Sequence, residues 1–365
     1  MMKKVTFNLL VLFLICFSKI VSAQIWAPVG YPGFSGGEAY FTSIAVDDGG
    51  VPYVSFSDLL NGRKVTVMKF DGSTWIRLGQ DGFSADKVAY TNIAIGVNAT
   101  PYVVYEEITG KNIFNIIVKK FDGTNWIQVG TALPCDVTGT PTIAINKAGA
   151  PYISFYHGQV NVMTYDGKGW QAVGDLSSAV SSRPGLSAAP GLALDVNGNP
   201  YVIYANAQNY ATVTGFTNKA WDAKGNLGNT FLTMASTIKF DSNNTPFVTV
   251  WIGTKLFIGK FVKGNWLSVG KGGIEAAGVP YTSMVIYKGT PYVLSTLSMP
   301  GGKFGKTKAV LYTLKNDTWE VVGKGPGFSA GGAYYGQLAI TKQGQIYAVY
   351  SDVSFSNSVT VMTYK

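Results

Sequence analysis

The chain is poor in the residues on which much enzyme chemistry rests. Its 365 residues include one histidine, His157, and two cysteines, Cys16 and Cys135. Arginine occurs only as Arg63, Arg77 and Arg183. Each scarcity excludes something. Catalytic zinc wants about three protein ligands, usually imidazole or thiolate, and one His with one mature Cys does not supply them. A three-arginine carboxylate clamp is excluded because Arg77 falls in an outer strand. A single mature cysteine forms no intramolecular disulfide, so Cys135 reads as a small buried hydrophobe. Charged residues are 13% of the chain and the lysines are scattered, which leaves no dense basic stripe for nucleic acid. Phosphate-loop and nucleophile-elbow motifs are missing, as are helical stretches of Ala, Leu, Glu and Lys. No cofactor or metal is expected.

Long apolar runs are also missing after the start. Lys3 and Lys4 precede a short apolar stretch, Val5 to Cys16, and "VSA" ends at Ala23. This pattern predicts a secretory signal peptide over 1–23, too short to be a spanning helix. Ile15 is bulky where a lipid-attachment box before Cys16 needs a small residue, which argues against an anchor there. The mature chain, 24–365, is expected to be exported to the periplasm, cell surface or medium as a single domain. Three of the positive charges behind the formal +9 (Lys3, Lys4, Lys19) leave with the signal.

What the sequence has is repetition. Trp26, Trp75, Trp126, Trp170, Trp221, Trp266 and Trp319 recur at intervals of about 44–53 residues, a period typical of propeller blades, and each is followed four residues on by Gly. Hairpins such as "VTVMKFDGSTW" and "IIVKKFDGTNW" lead into these tryptophans. Alternating β-branched residues, then Asp-Gly, then a Trp-led strand is a strong hairpin signal. An earlier hairpin in each unit reads like "IAVDDGGVPYVSF", with Pro at the first strand residue, where its missing N–H is tolerated. Each unit is thus four short antiparallel strands, A to D, and strand B can be counted seven times from "PYVSFSD" to "IYAVYSD". This predicts an all-β, seven-bladed β-propeller of four-stranded antiparallel blades. The last unit, "SVTVMTYK", lacks a D strand, and "QIWAPVG" at the mature start is a D strand without A, B or C. An N-terminal strand completing the last blade would close the ring.

The sequence resembles secreted bacterial β-propeller repeat proteins. The "DGxxW" hairpins, Asp71 to Trp75 and Asp122 to Trp126, are similar to the Asp-box turns of sialidase-like propellers. That box is a structural turn, and its serine is absent here. The turns Asp195 to Pro200 and Asp241 to Pro246 look faintly like calcium loops. Each offers one acid where calcium wants six or more oxygens, so Asx-turn chemistry explains them more simply.

In propellers of this kind the D–A and B–C loops emerge on one face, and here they are the long, variable set. Strand B ends in Asp58, Glu107, His157, Asn206, Ile252, Leu297 and Asp352 around the ring. Asp352, Asp58, Glu107, His157 and Asn206 therefore occupy five consecutive blades as a polar arc. Strand ends meet solvent, so the same residues are also expected simply to cap turns. Aromatics gather in the D–A loops, among them Phe34, Tyr40, Phe41, Tyr90, Tyr281, Phe328, Tyr334 and Tyr335. Trp251 alone lies outside the repeat position. "PGFSGGEAYF", "DGFSADKVAY" and "PGFSAGGAYY" enter the first, second and seventh blades, which are neighbours once the ring closes. Ligand contacts are expected from Asp58, Glu107, His157, Asn206, Trp251, Asp352, Phe34, Phe41, Phe328 and Tyr335. The leading reading is a binding protein for glycan. The alternatives are a scaffold for an envelope or extracellular protein, and a two-carboxylate glycoside hydrolase or lyase using Asp58, Glu107 and Asp352.

Overall fold

The Asp-Gly turns and alternating strands fold as the antiparallel hairpins they predict. The structure is a computed structural model that describes residues 25–136, 141–176, 190–206, 210–231, 237–275, 282–298 and 307–364. The expected signal peptide, Cys16, Arg183 and Tyr281 lie outside the described residues. Described helix is confined to three-residue 3-10 turns, at Leu59–Asn61, Val97–Ala99 and Val353–Phe355.

The described strands pair into six sheets: four of four strands, one of five and one of eight. The eight-stranded sheet divides into two antiparallel runs of four, joined by a parallel contact of one residue pair, Lys271 with Thr318. The fifth strand of the other is Leu133–Cys135, which pairs with Ile113–Phe121. The first blade in chain order shows the common plan, running A (Ala39–Val46), B (Pro52–Asp58), C (Lys64–Phe70) and D (Trp75–Arg77). Trp26–Pro28 pairs with Ser358–Tyr364, so the N-terminal strand completes the last sheet. The A strands touch in a closed cycle: Ala39–Val46, Val88–Ile95, Thr142–Ile145, Gly191–Leu194, Ile238–Phe240, Ser283–Tyr287, Ala333–Ile340, then back to the first.

Packing is between sheets. Ile44, Val54, Phe56 and Trp75 meet Tyr347, Val349, Val359 and Val361 of the last blade, and the opposite face of the first blade (Tyr53, Val65, Val67) meets Val103, Tyr105 and Ile117. Strand alternation gives each blade two apolar faces, and only a ring covers both.

The Trp-x-x-x-Gly repeat stitches this ring at its rim. The indole Nε1 of Trp75 donates to Val29 O at 2.7 Å, Trp126 to Leu78 O at 2.7 Å, Trp170 to Val129 O at 3.2 Å and Trp221 to Val173 O at 2.6 Å. Trp26 donates in the same way to Val322 O at 3.0 Å, where the two chain ends meet, whereas Trp319 Nε1 has no hydrogen-bond partner among the described residues. Each acceptor immediately precedes the repeat glycine of the preceding blade. The Asp-box-like turns are equally local: Asp71 Oδ1 accepts from Ser73 N and Thr74 N, and Asp122 Oδ1 from Thr124 N and Asn125 N.

Candidate functional site

The three echoing loops dock in the same way. Ser35 Oγ donates to Gly37 O and accepts from Val359 N; Ser84 and Ser329 repeat this with Asp86 O and Val65 N, and with Gly331 O and Ala309 N. The preceding phenylalanine then lies on the indole of its own blade. Phe34 stacks on Trp75 at 4.3 Å, Phe83 on Trp126 at 4.6 Å and Phe328 on Trp26 at 3.8 Å. Phe34 and Phe328 therefore anchor the loops to the blades.

The end of each phrase does something different. Phe41, Tyr90 and Tyr335 occupy equivalent positions at the start of the A strand and have φ of 52°, 52° and 55°. The left-handed region is rare for bulky side chains and costs about 1–2 kcal/mol per residue. In each case the ladder shifts register there, between Tyr40 and Ser43, Ala89 and Asn92, and Tyr334 and Gln337. Such bulges re-aim a side chain. Here they aim three rings at one another across adjacent blades: Phe41 lies 4.5 Å from Tyr90 and 4.9 Å from Tyr335. Tyr40 adds an edge contact to Tyr335 at 6.1 Å. All four rings are half-buried. The next blade holds the strained backbone, since Thr42 Oγ1 donates to Tyr335 O at 2.7 Å and Thr91 Oγ1 to Phe41 O at 2.8 Å. The result is an aromatic arc on the rim of the central channel.

Two charged groups flank it. The exposed guanidinium of Arg63 lies 4.8 Å from the Tyr40 ring centroid and makes no ion pair among the described residues. Glu106 is buried, and its charge together with burial raises the Tyr90 phenol above its ordinary value, burial being the larger cause. Burial, then Glu106 and Asp136, push the Cys135 thiol up to about 12. Neither Arg63 nor Glu106 is marked by its position in the repeat, which is why sequence reasoning did not select them.

The acids that end strand B face their own loops. Asp58 is buried and accepts from Leu60 N, Asn61 Nδ2 at 2.8 Å and Thr66 Oγ1 at 2.8 Å, capping the 3-10 turn. Asp352 caps the turn of the last blade through Ser354 N at 3.0 Å. Glu107 Oε1 accepts from Ala85 N and Asp86 N, tying down the second echoing loop. His157 is exposed, with Nδ1 3.3 Å from Asp136 Oδ1. Asn206 Oδ1 accepts from Tyr210 N. Trp251 is buried on the fifth blade against Leu256, Met284 and Val310, away from the arc, and its Nε1 has no hydrogen-bond partner among the described residues.

Asp352 carries a pH signature. Burial holds its carboxyl above the ordinary carboxylate range, outweighing hydrogen bonds from Ser354, Thr360 and Tyr350. The folded state therefore favours the protonated acid. That contribution is full below the unfolded value of about 3.9 and is lost as pH rises through the higher folded value. Asp352→Asn is expected to melt above wild type at about pH 7, with the gap closing near pH 3.5. Melting curves whose separation is the same at both pH values exclude this account.

No known protein family matches the chain, and no curated protein does. Solved structures do. An ulvan lyase of a polysaccharide lyase family aligns at 11% identity and TM-score 0.57, covering 93% of this chain and 95% of that one. YCF48 from Cyanidioschyzon merolae aligns at 13% identity and TM-score 0.56, covering 93% and 98%. The Aleuria aurantia lectin, solved with a fucosylated GlcNAc, aligns at 16% identity and TM-score 0.51, covering 79% and 96%. At these identities the likeness concerns the fold, which is that of β-propellers.

Proposed function

We propose that this chain is an exported seven-bladed propeller that binds glycan on its channel rim, through the arc of Tyr335, Phe41 and Tyr90. The observation that carries this reading is the left-handed backbone at all three rings. Strain of this kind persists where the surroundings over-determine it, and it clusters at ligand sites. Aromatic faces suit the apolar faces of sugar rings, and tyrosine adds a hydroxyl. Arg63 supplies a cation at the flank of the arc for an acidic substituent. The lectin and lyase among the structural neighbours give the same direction, at the level of fold only. Asp58, Glu107 and Asp352 are engaged by their own loops, which favours binding over a two-carboxylate reaction.

Phe41→Gly separates function from folding. Glycine adopts positive φ freely, so the variant is expected to lose the ring and the backbone strain together. After a glycan array identifies a ligand, calorimetry on Phe41→Gly is expected to show at least about a tenfold loss of affinity, with the melting temperature held or raised. An array without hits for wild type, or full affinity in Phe41→Gly, overturns the reading.

A further inference from the structure

The inner strands enclose a cavity of about 190 Å³ on the ring axis, lined by all seven of them. Its chemistry is one-sided. Among the described residues Lys239 is the only charged one that lines it, and no acid does. The register makes this lysine an exception. The inner-strand residue opposite the second residue of strand B is Ala45, Ala94, Ala144, Ala193 and Ala339 in five blades and Val285 in a sixth. In the fifth blade that residue is Lys239, opposite Phe247. Its side chain is accessible from the channel, and it makes no ion pair among the described residues. Crowding by the inner strands desolvates its ammonium and holds it below the ordinary lysine value.

Two polar side chains of its lining, Gln337 and Ser283, keep a donor to give. Ser43 Oγ accepts from Ile93 N at 3.2 Å and Asn92 Nδ2 at 3.3 Å, so its own proton goes to Gln337 Oε1 at 2.9 Å. Asn92 Oδ1 in turn accepts from Ile143 N at 3.2 Å. The backbone N–H groups thus fix the polarity of the chain, which ends on the Gln337 amide nitrogen with no acceptor among the described residues. Ser283 Oγ accepts from Leu338 N at 3.0 Å, which leaves its proton to give. Lys239, Ser283 and Gln337 line the cavity from the fifth, sixth and seventh blades, and Thr237, two residues before the lysine, lines it too. Free donors on Ser283 and Gln337 in a cavity with an unpaired ammonium, and no carboxylate among its described lining residues, are complementary to negative charge.

We propose that the central channel is a binding site for a small oxyanion, such as sulfate, phosphate or a free carboxylate, held by Lys239 with Thr237, Ser283 and Gln337. It lies deeper along the inner strands than the aromatic arc and stands apart from the glycan reading, so loss of glycan binding in Phe41→Gly leaves it unaffected.

The test is calorimetric titration of sodium sulfate into the full chain at fixed ionic strength, with sodium chloride as control. Parallel titrations of phosphate and acetate identify which oxyanion is preferred. Saturable uptake by wild type is expected, weakened about tenfold or more in Lys239→Met through loss of a charge-assisted contact. Absence of saturation in wild type with all three anions overturns the proposal, as does undiminished affinity in a folded Lys239→Met. If Lys239→Met does not fold, Lys239→Arg and Gln337→Leu replace it. Binding kept by the first and weakened in the second supports the site, and equal binding by Gln337→Leu and wild type overturns it.

Discussion

Gly130→Ala is expected to destabilise the ring by about 3 kcal/mol, against about 1 kcal/mol for Gly158→Ala. The two glycines have almost the same backbone, with φ of 68° and 65°. Both alanines would suffer the left-handed penalty. They differ in what the added methyl meets. At Gly158 there is nothing within 4 Å, whereas at Gly130 a Cβ would lie 2.5 Å from Trp170 Nε1 and 2.7 Å from its Cδ1. The indole must then shift and give up its bond to Val129 O, leaving a part-buried donor unsatisfied. The same approach recurs where Gly79 meets Trp126 and Gly323 meets Trp26. Urea denaturation of both variants measures the difference. Equal losses would mean that the repeat glycine serves its own turn and not the indole of the next blade.

Trp26→Ala is expected to cost about 3–5 kcal/mol, because it removes a large aromatic at the only seam where the chain ends meet. Trp26 stacks on Phe328 at 3.8 Å, tilts against Tyr364 at 5.4 Å and donates to Val322 O. It belongs to a strand of three residues, Trp26–Pro28, whose ladder to Ser358–Tyr364 is short. Its neighbour Ile25 is 54% exposed, so Ile25→Ala should stay within about 0.5 kcal/mol of wild type. Beyond the midpoint shift, Trp26→Ala should speed proteolysis at both chain ends before the central blades are cut. If cleavage of the variant instead begins in the central blades, the seam is not where this ring opens.

The four-strand units, their hairpins and the N-terminal strand that completes the last sheet were all legible in the sequence. These features rest on local chemistry: Asp-Gly at a turn, period-two alternation in a strand, a strand missing at one end and spare at the other. The candidate site was legible only in part. Phe41 and Tyr335 could be named because they recur in echoing loops, but Phe34 and Phe328 recur in the same loops and stack on tryptophans. Asp58, Glu107 and Asp352 were readable as an arc of charge, and in space each carboxylate bonds to its own loop. Arg63 had no mark in the pattern, since the Tyr40 ring beside it is about 23 positions away, whereas Lys239 stands where five other blades carry alanine, and only the fold brings Ser283 and Gln337 to the same cavity.

By itself the sequence determined that the chain would form four-stranded antiparallel units closed into a ring, because turn chemistry and strand alternation act over a few residues and repeat in every unit. Only the tertiary structure decided which repeated residues serve the scaffold and which face the channel. A strand sets the side of the sheet for each residue. Whether that side meets an indole, a carbonyl or open space depends on the neighbouring blade, and a bulge such as those at Phe41, Tyr90 and Tyr335 changes the side locally.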